Sequence, residues 1–462
     1  MPGWEPLDMI VKNEITQRED EGFDVGGLLQ KWEAAGKDEE KLMAVYRQLQ
    51  NAPSQTNFPY TEPSELADIR GQRPDGPRRI DIRQNSEQLR DQFYGAWLGR
   101  CIGCALGRPL EIGPFSSGAN GKPGWENVKL WFEGADAWPI RGYTPGYSKA
   151  RDKGIDVAHR CGDSFSENIS FMESDDDIRY TIIGLLQMEE RGLDWDSWDV
   201  GMLWHQRLAY RQVCTAETQA YLNFAHVSSH INSHVLCEKP NDWRQKIEWV
   251  RTYLNPYREL IGAQIRVDGY AYAAAGNLEL AADLAWRDAS FSHVKNGVYG
   301  AMYIAAMIAA SFAEKDPEKI VAWALSEIPK NARLAHDIRK AIEIAKGETD
   351  QVRLVSRIWE AFKHYKPGHA NNNAALCTAS VLFAGDDFEK AVATAVLGGW
   401  DTDCNGATVG SIMGARLGAK NIPERWKQPL NDTLYSGIWG FHPIPISECA
   451  KRSYNTYVKL RQ

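Results

Sequence analysis

Leu89–Glu111 reads LRDQFYGAWLGRCIGCALGRPLE, with glycines at 95, 99, 103 and 107. A four-residue spacing places all four on one face of an α-helix, in a single stripe. Glycine inside a helix costs about 1 kcal/mol relative to alanine, so a helix that keeps four of them needs a compensating contact. Close approach of a neighbouring backbone supplies one, with rows at i±4 packing into a groove. A second stripe recurs at Gly406, Gly410, Gly414 and Gly418. The stripes predict two helices at a tightly packed centre, either against each other or each against bulky side chains. The first helix is expected to end at Gly107, because Pro109 cannot continue it.

Around this stretch the apolar spacing stays helical. Segments of helical period include Ile178–Arg191, Asp199–Arg211, Asp242–Tyr253, Asn277–Ala289, Pro317–Ile328, Asn331–Lys346, Gln351–His364, Ala374–Phe383 and Phe388–Leu397. Alternating strand patterns are rare, so the fold class is all-α. Gly297–Ala313 is apolar but shorter than the roughly 20 residues a membrane span needs, and it reads as a buried core helix. Upstream, residues 1–50 look like short helices, for instance over Asp24–Leu49. Residues 51–88 are Pro-rich and polar and read as an extended linker or wrapping arm. The division is therefore an N-terminal extension over 1–88 and a main helical domain over 89–462.

Bulk composition narrows the function classes. The chain has 462 residues, 43% hydrophobic and 25% charged, with a formal net charge of −8. That balance supports a large core and argues against nucleic acid as an obligate partner, since phosphate binding needs clustered Lys and Arg. No basic segment followed by an apolar run opens the chain, so no membrane partner and a cytoplasmic location are expected. Eight cysteines are scattered at 101, 104, 161, 214, 237, 377, 404 and 449, a placement that fits reduced thiols. The lone C-x-x-C at Cys101 and Cys104 lacks a second pair at zinc-ligand spacing. Small buried helix residues explain it better.

Acidic residues gather at two predicted helix starts. Glu173-Ser174-Asp175-Asp176-Asp177 precedes an apolar helical face at Ile178, Ile182, Leu185 and Leu186. One or two acids there would serve as cap and dipole partner. Four carboxylates among five residues repel each other and call for a positive partner or solvent. Gly398-Gly399-Trp400-Asp401-Thr402-Asp403-Cys404-Asn405 places D-x-D beside a flexible turn, again before a helix. Hard cations such as Mg2+ take oxygen ligands of this kind. Glu111 projects from the loop after the first glycine helix. His369-Ala370-Asn371-Asn372-Asn373 opens another helix, either as a cap or as a pocket lining.

These four elements, in this order, resemble the ADP-ribosylglycohydrolase family over roughly residues 89–440. In that family a G-D-A-L-G-x-P-x-E segment, a T-D-D-T helix start and a G-G-x-D-T-D-T-like segment build the site. The resemblance implies a compact orthogonal multi-helix bundle, here with an N-terminal helical or extended arm. It implies that Ser174, Asp175, Asp176, Asp401 and Asp403 hold two Mg2+ or Mn2+ ions and that Glu111 lies near the substrate. Cys104, Asp177 and Cys404 replace an Asp and two Thr of the common pattern. G-C-A-L-G-R-P-L-E, D-D-D-I-R-Y-T and W-D-T-D-C-N together resemble a bacterial branch of the family. A thiol is a poor Mg2+ ligand, so the ion shell beside Cys404 is expected to differ.

The implied activity is metal-dependent hydrolysis of a ribosyl N- or O-glycosidic bond, on a small riboside or an ADP-ribosylated substrate. Glu111, Asp175 or Asp176 would deprotonate the attacking water. Asp177, His369, Asn373, Gly398, Gly399, Trp400 and Cys404 are the candidates to bind substrate. The segment with Trp125, Trp131, Trp138 and Tyr143, together with the N-terminal arm, either covers the site or forms a separate surface cluster. Three alternatives stay open. They are an N-ribosidase for a modified nucleoside, a non-catalytic relative, and a metal-free two-carboxylate glycosidase. No oligomeric state follows from the sequence.

Overall fold

The computed structural model describes residues 1–228 and 239–461. At its centre the helices Ser86–Gly107 and Thr402–Leu417 run antiparallel in direct contact. Gly95 faces Gly414, Gly99 faces Gly410 and Gly103 faces Gly406. A Cβ on any of the six would lie within 2.4 Å of the facing carbonyl oxygen. The stripes therefore pack on each other, and bulky side chains elsewhere are not their partners. Gly418 is the exception. It stands outside the helix at φ +84°, a left-handed position that ends the helix.

Helices dominate the rest, and the fold is all-α. Among the described residues the only sheet pairs Thr433–Leu434 with Ile444–Pro445, antiparallel. The apolar Lys295–Ser311 helix is buried from Asn296 to Ser311, as a core helix should be. No described helix is long and apolar enough to cross a membrane. Cys101 and Cys104 are buried with unpaired thiols inside the first glycine helix. Cys237 lies outside the described residues.

Local chemistry adjusts several predicted boundaries. The Asp24–Leu49 segment is two helices, Leu28–Ala35 and Glu39–Gln50, broken at Gly36 with φ +56°. The helix expected over Asp199–Arg211 stops at Arg207, where Leu208 turns extended. Within 51–88 the chain is not wholly extended, because Leu66–Gln72 is helical.

The N-terminal helices share a small apolar cluster of Ile10, Val11, Ile15, Leu42 and Leu49, closed by Leu254. Buried ions fasten them to the body. Arg258 pairs with Glu14 at 2.6 Å and with Glu21 at 2.7 Å. Further along, Arg333 joins Glu62 at 2.8 Å and Glu259 at 2.9 Å. Trp131 and Tyr143 belong to the main core, so that tryptophan-rich segment is not a separate surface cluster.

Candidate active site

Antiparallel packing of the glycine helices brings the end of one to the start of the other. Thr402 Oγ1 donates to the Gly107 carbonyl at 2.8 Å. Glu111, just past a short turn at Arg108–Leu110, and the Asp401-Thr402-Asp403 run thus reach the same end of the pair. The turn before Asp401 is strained. Gly399 has φ +73° and Trp400, a bulky residue, has φ +58°. Trp400 is held there by stacking on Trp359 at 4.9 Å between ring centroids.

The Asp176–Arg191 helix joins from a third direction. Asp175 caps it, accepting from the Asp177 N–H at 3.1 Å. Arg100, on the first glycine helix and fully buried, anchors that end. Its Nη2 lies 2.9 Å from Asp177 Oδ1, its Nη1 is 2.9 Å from Asp268, and its Nε donates to Thr181 Oγ1 at 2.6 Å. Arg108 donates to Asp175 at 2.9 Å and pairs with Glu173. Arg179, one turn into the helix, donates to Ser174 Oγ at 2.8 Å. Arginines thus supply the positive partners that four crowded carboxylates need.

Two overlapping donor groups result. Ligand atoms of Cys104, Asp175, Asp177 and Asp403 lie within 4.8 Å of one another, as do those of Asp401, Asp403 and Cys404. Asp403 belongs to both. Asp177 Oδ2, Asp401 Oδ1 and Asp403 Oδ1 are buried without a hydrogen-bond partner among the described residues. Unpartnered buried carboxylate oxygens are costly unless a cation meets them. Burial first, then the surrounding acids, push the Cys104 and Cys404 thiols well above their ordinary range. A thiol is in any case a poor ligand for a hard cation, which leaves the carboxylates as the donors. An oxygen set of this kind fits a hard divalent cation.

Electrostatics divide the acids. Burial works against charge on Asp175, but Arg108 and Arg179 outweigh it and hold that carboxyl below its ordinary value. Burial, then Asp175, lifts Asp176 to about 7. Asp403 rises well above its ordinary value through burial, then Glu111 and Asp175. Glu111 rises likewise through loss of water in the cleft, then Asp401 and Asp175. Its side chain nevertheless keeps 44% of its surface open to solvent.

A cavity of about 400 Å³ opens over these groups. Glu111, Asp175, Asp176, Asp401 and Cys404 stand at its wall. Asp177 does not, being sealed behind it against Arg100. His369 caps its own helix by accepting from the Asn371 N–H at 3.1 Å. Asn373 accepts from Asn405 at 2.7 Å. Gly398, against Leu376, shapes the turn with Gly399 and Trp400. His369, Asn373, Gly398, Gly399 and Trp400 do not line the cavity. Ser174 Oγ donates to the Ser436 carbonyl at 3.0 Å and accepts from Arg179, which leaves one lone pair for a ligand.

Other wall residues carried no role in the sequence reading. Arg160, Arg179 and Gly262 come from separate elements, and Thr215 and Glu217 share the Thr215–Ser228 helix. Only Arg179, four residues after Asp175 on one helix, had a local signal. Glu217 is buried and paired with Arg266 at 2.5 Å. A larger groove of about 560 Å³, floored by Val321, Ile342 and Phe383, shares no residue with the acidic cluster.

Residues 85–452 match the family model described as ADP-ribosylglycohydrolase. No curated protein matches the chain. One similar solved structure is described as an ADP-ribosylglycohydrolase-related protein complex. It aligns at 20% identity and a TM-score of 0.49, over 80% of this chain and 99% of that one.

Proposed function

The chain belongs to the ADP-ribosylglycohydrolase family, and from that premise we propose that it hydrolyses a ribosyl glycosidic bond with two divalent cations, Mg2+ or Mn2+, at the Asp403 centre. One observation carries the reading: two donor groups share Asp403, and the unpartnered oxygens of Asp401 and Asp403 belong to them. Asp175, Asp176, Asp401 and Asp403 would hold the ions, with Ser174 beside them. Cations bound there supply positive charge that orients ribose hydroxyls and acidifies water.

Protein groups account for the remaining chemistry. Asp175, kept ionised by Arg108 and Arg179, stabilises positive charge developing on the ribose ring. Glu111 reaches solvent at the cavity and has its proton affinity raised, which suits a general base. It takes a proton from water as the water oxygen bonds to the anomeric carbon. The glycosidic bond breaks with its electron pair leaving on the departing group. Cys404 and Arg179 border the same space.

A cavity of about 400 Å³ is at the small end for ligand pockets of roughly 300–1,000 Å³. That size favours a small riboside as the second reading of the substrate. Calorimetric titration of metal-stripped protein with Mg2+ and Mn2+, with and without ADP-ribose, tests the centre. Binding that vanishes in the Asp401→Ala, Asp403→Ala double variant and strengthens with ADP-ribose is expected. Metal binding indifferent to ADP-ribose would move the substrate to a smaller riboside, and no metal binding would sink the proposal.

A further inference from the structure

One wall of the cavity comes from far outside residues 85–452. Trp4 lines it together with Glu111, Asp176 and Asp401. The indole is 47% exposed, and no described residue offers it a ring or hydrogen-bond partner. An apolar ring so placed contributes little to the core and presents its surface to the cavity.

The backbone that carries it is fixed. The Gly3 N–H donates to Gln219 Oε1 at 2.9 Å, and the Gly3 carbonyl accepts from Tyr210 Oη at 2.9 Å. Gln219 Nε2 donates to the Met1 carbonyl at 3.2 Å. On the other side of Trp4, the Glu5 carboxylate accepts from Asn13 Nδ2 at 2.7 Å and from the Tyr257 hydroxyl. Gly3 packs closely on Leu222, whose Cδ1 would lie 2.9 Å from an added Cβ. Gln219 and Leu222 lie on the Thr215–Ser228 helix, whose first turn gives Thr215 and Glu217 to the same cavity. The arm and the wall are therefore held as one unit.

We propose that Trp4 is a specificity-determining residue, a platform on which a planar aromatic group of the substrate stacks while its ribose faces the carboxylates. The proposal rests on the ribosyl-hydrolase reading. A stacked, partly exposed ring adds affinity without touching the reacting atoms, so Trp4 acts on binding and leaves the chemical step alone. The planar group is either the adenine of an ADP-ribosyl unit or an aromatic leaving group, and the two are separable.

The test compares wild type, Trp4→Ala and Trp4→Phe with ADP-ribose, ribose 5-phosphate and a purine nucleoside as probes. Loss of one stacked ring weakens binding about tenfold. If the ring is adenine, Trp4→Ala loses that factor for ADP-ribose and none for ribose 5-phosphate. If the ring is the leaving group, KM for the nucleoside rises about tenfold at unchanged kcat, with ADP-ribose binding unmoved. Trp4→Phe retains most of the affinity in either case. Unchanged binding of every probe by Trp4→Ala would overturn the proposal and leave the hydrolase reading standing. An equal loss for ribose 5-phosphate would also overturn it, because the arm would then only brace the site. Wild-type protein that neither binds nor turns over any probe would remove both readings together.

Discussion

Gly103 and Gly406 face each other so closely that a Cβ on Gly103 would lie 1.9 Å from the Gly406 carbonyl oxygen, and one on Gly406 would lie 2.3 Å from that of Gly103. No side chain fits between them. This contact sets the register that carries Glu111 and the Asp401–Asp403 run to one end of the helix pair. Stability and chemistry therefore depend on the same interface.

Substitution in the stripe should be severe. Gly99→Ala places a methyl 2.0 Å from the Gly410 carbonyl and must push the helices apart. A loss of about 3 kcal/mol or more, or failure to fold, is expected. Gly71→Ala is the control: its helix position has nothing within 4 Å of the added Cβ. It should be neutral or stabilise by up to about 1 kcal/mol. Chemical denaturation of both variants checks the contrast, and equal stabilities would refute the close packing.

Arg100 holds two carboxylates in the buried interior. Arg100→Ala strands Asp177 and Asp268 as buried charges, at a cost of about 3–5 kcal/mol. Adding Asp177→Asn should recover part of that loss, because the two positions share one network. A double variant as unstable as the sum of the singles would argue against the coupling.

At the cation centre, function and apo stability should oppose each other. Asp403 is 1% exposed and carries an oxygen without a partner. Asp403→Asn removes a buried charge and is expected to stabilise metal-free protein by about 1–3 kcal/mol. The same variant should lose the metal-induced rise in Tm, which in wild type reflects a stabilisation of about 2.7 kcal/mol per site at a hundredfold excess over Kd. Thermal melts with and without Mn2+ report both effects; a variant that still gains stability from Mn2+ would exclude Asp403 as a ligand.

Asp20 offers a pH signature away from the site. Burial, then Glu259, raises its carboxyl from the ordinary 3.8 to about 6. A folded-state value above the unfolded one means the fold prefers the protonated acid. Stability from this group is full below about pH 4 and is lost as pH rises through about 6. Asp20→Asn should therefore stabilise the protein at pH 7.5, by about 1–2 kcal/mol after allowance for solvent screening. The gain should disappear near pH 3.5. Stability curves that run parallel across this range would contradict the shift.

Much of the centre was legible in the residue order. Four-residue glycine spacing marks a helix face that only another backbone can cover, and both stripes carry it. Acid runs at two helix starts marked the donor groups, because like charges so crowded need a positive partner. Legibility failed where a residue's partner is distant in sequence. Arg100 reads as one basic residue on an apolar helix, and nothing local says that it meets Asp177 and Asp268. His369, Asn373 and Trp400 looked like pocket linings. In the fold their polar or aromatic groups are used to cap, bridge and stack.

Periodicity and local charge act over one or two helix turns, so the helices, the glycine seam and the acidic helix starts follow from the chain itself. Which acids share a cation centre, which are sealed behind an arginine, and that Trp4 comes to line the same cavity as Asp401 depend on packing between segments far apart in the chain. Those pairings follow from burial and shape complementarity over the whole molecule, and no local pattern encodes them.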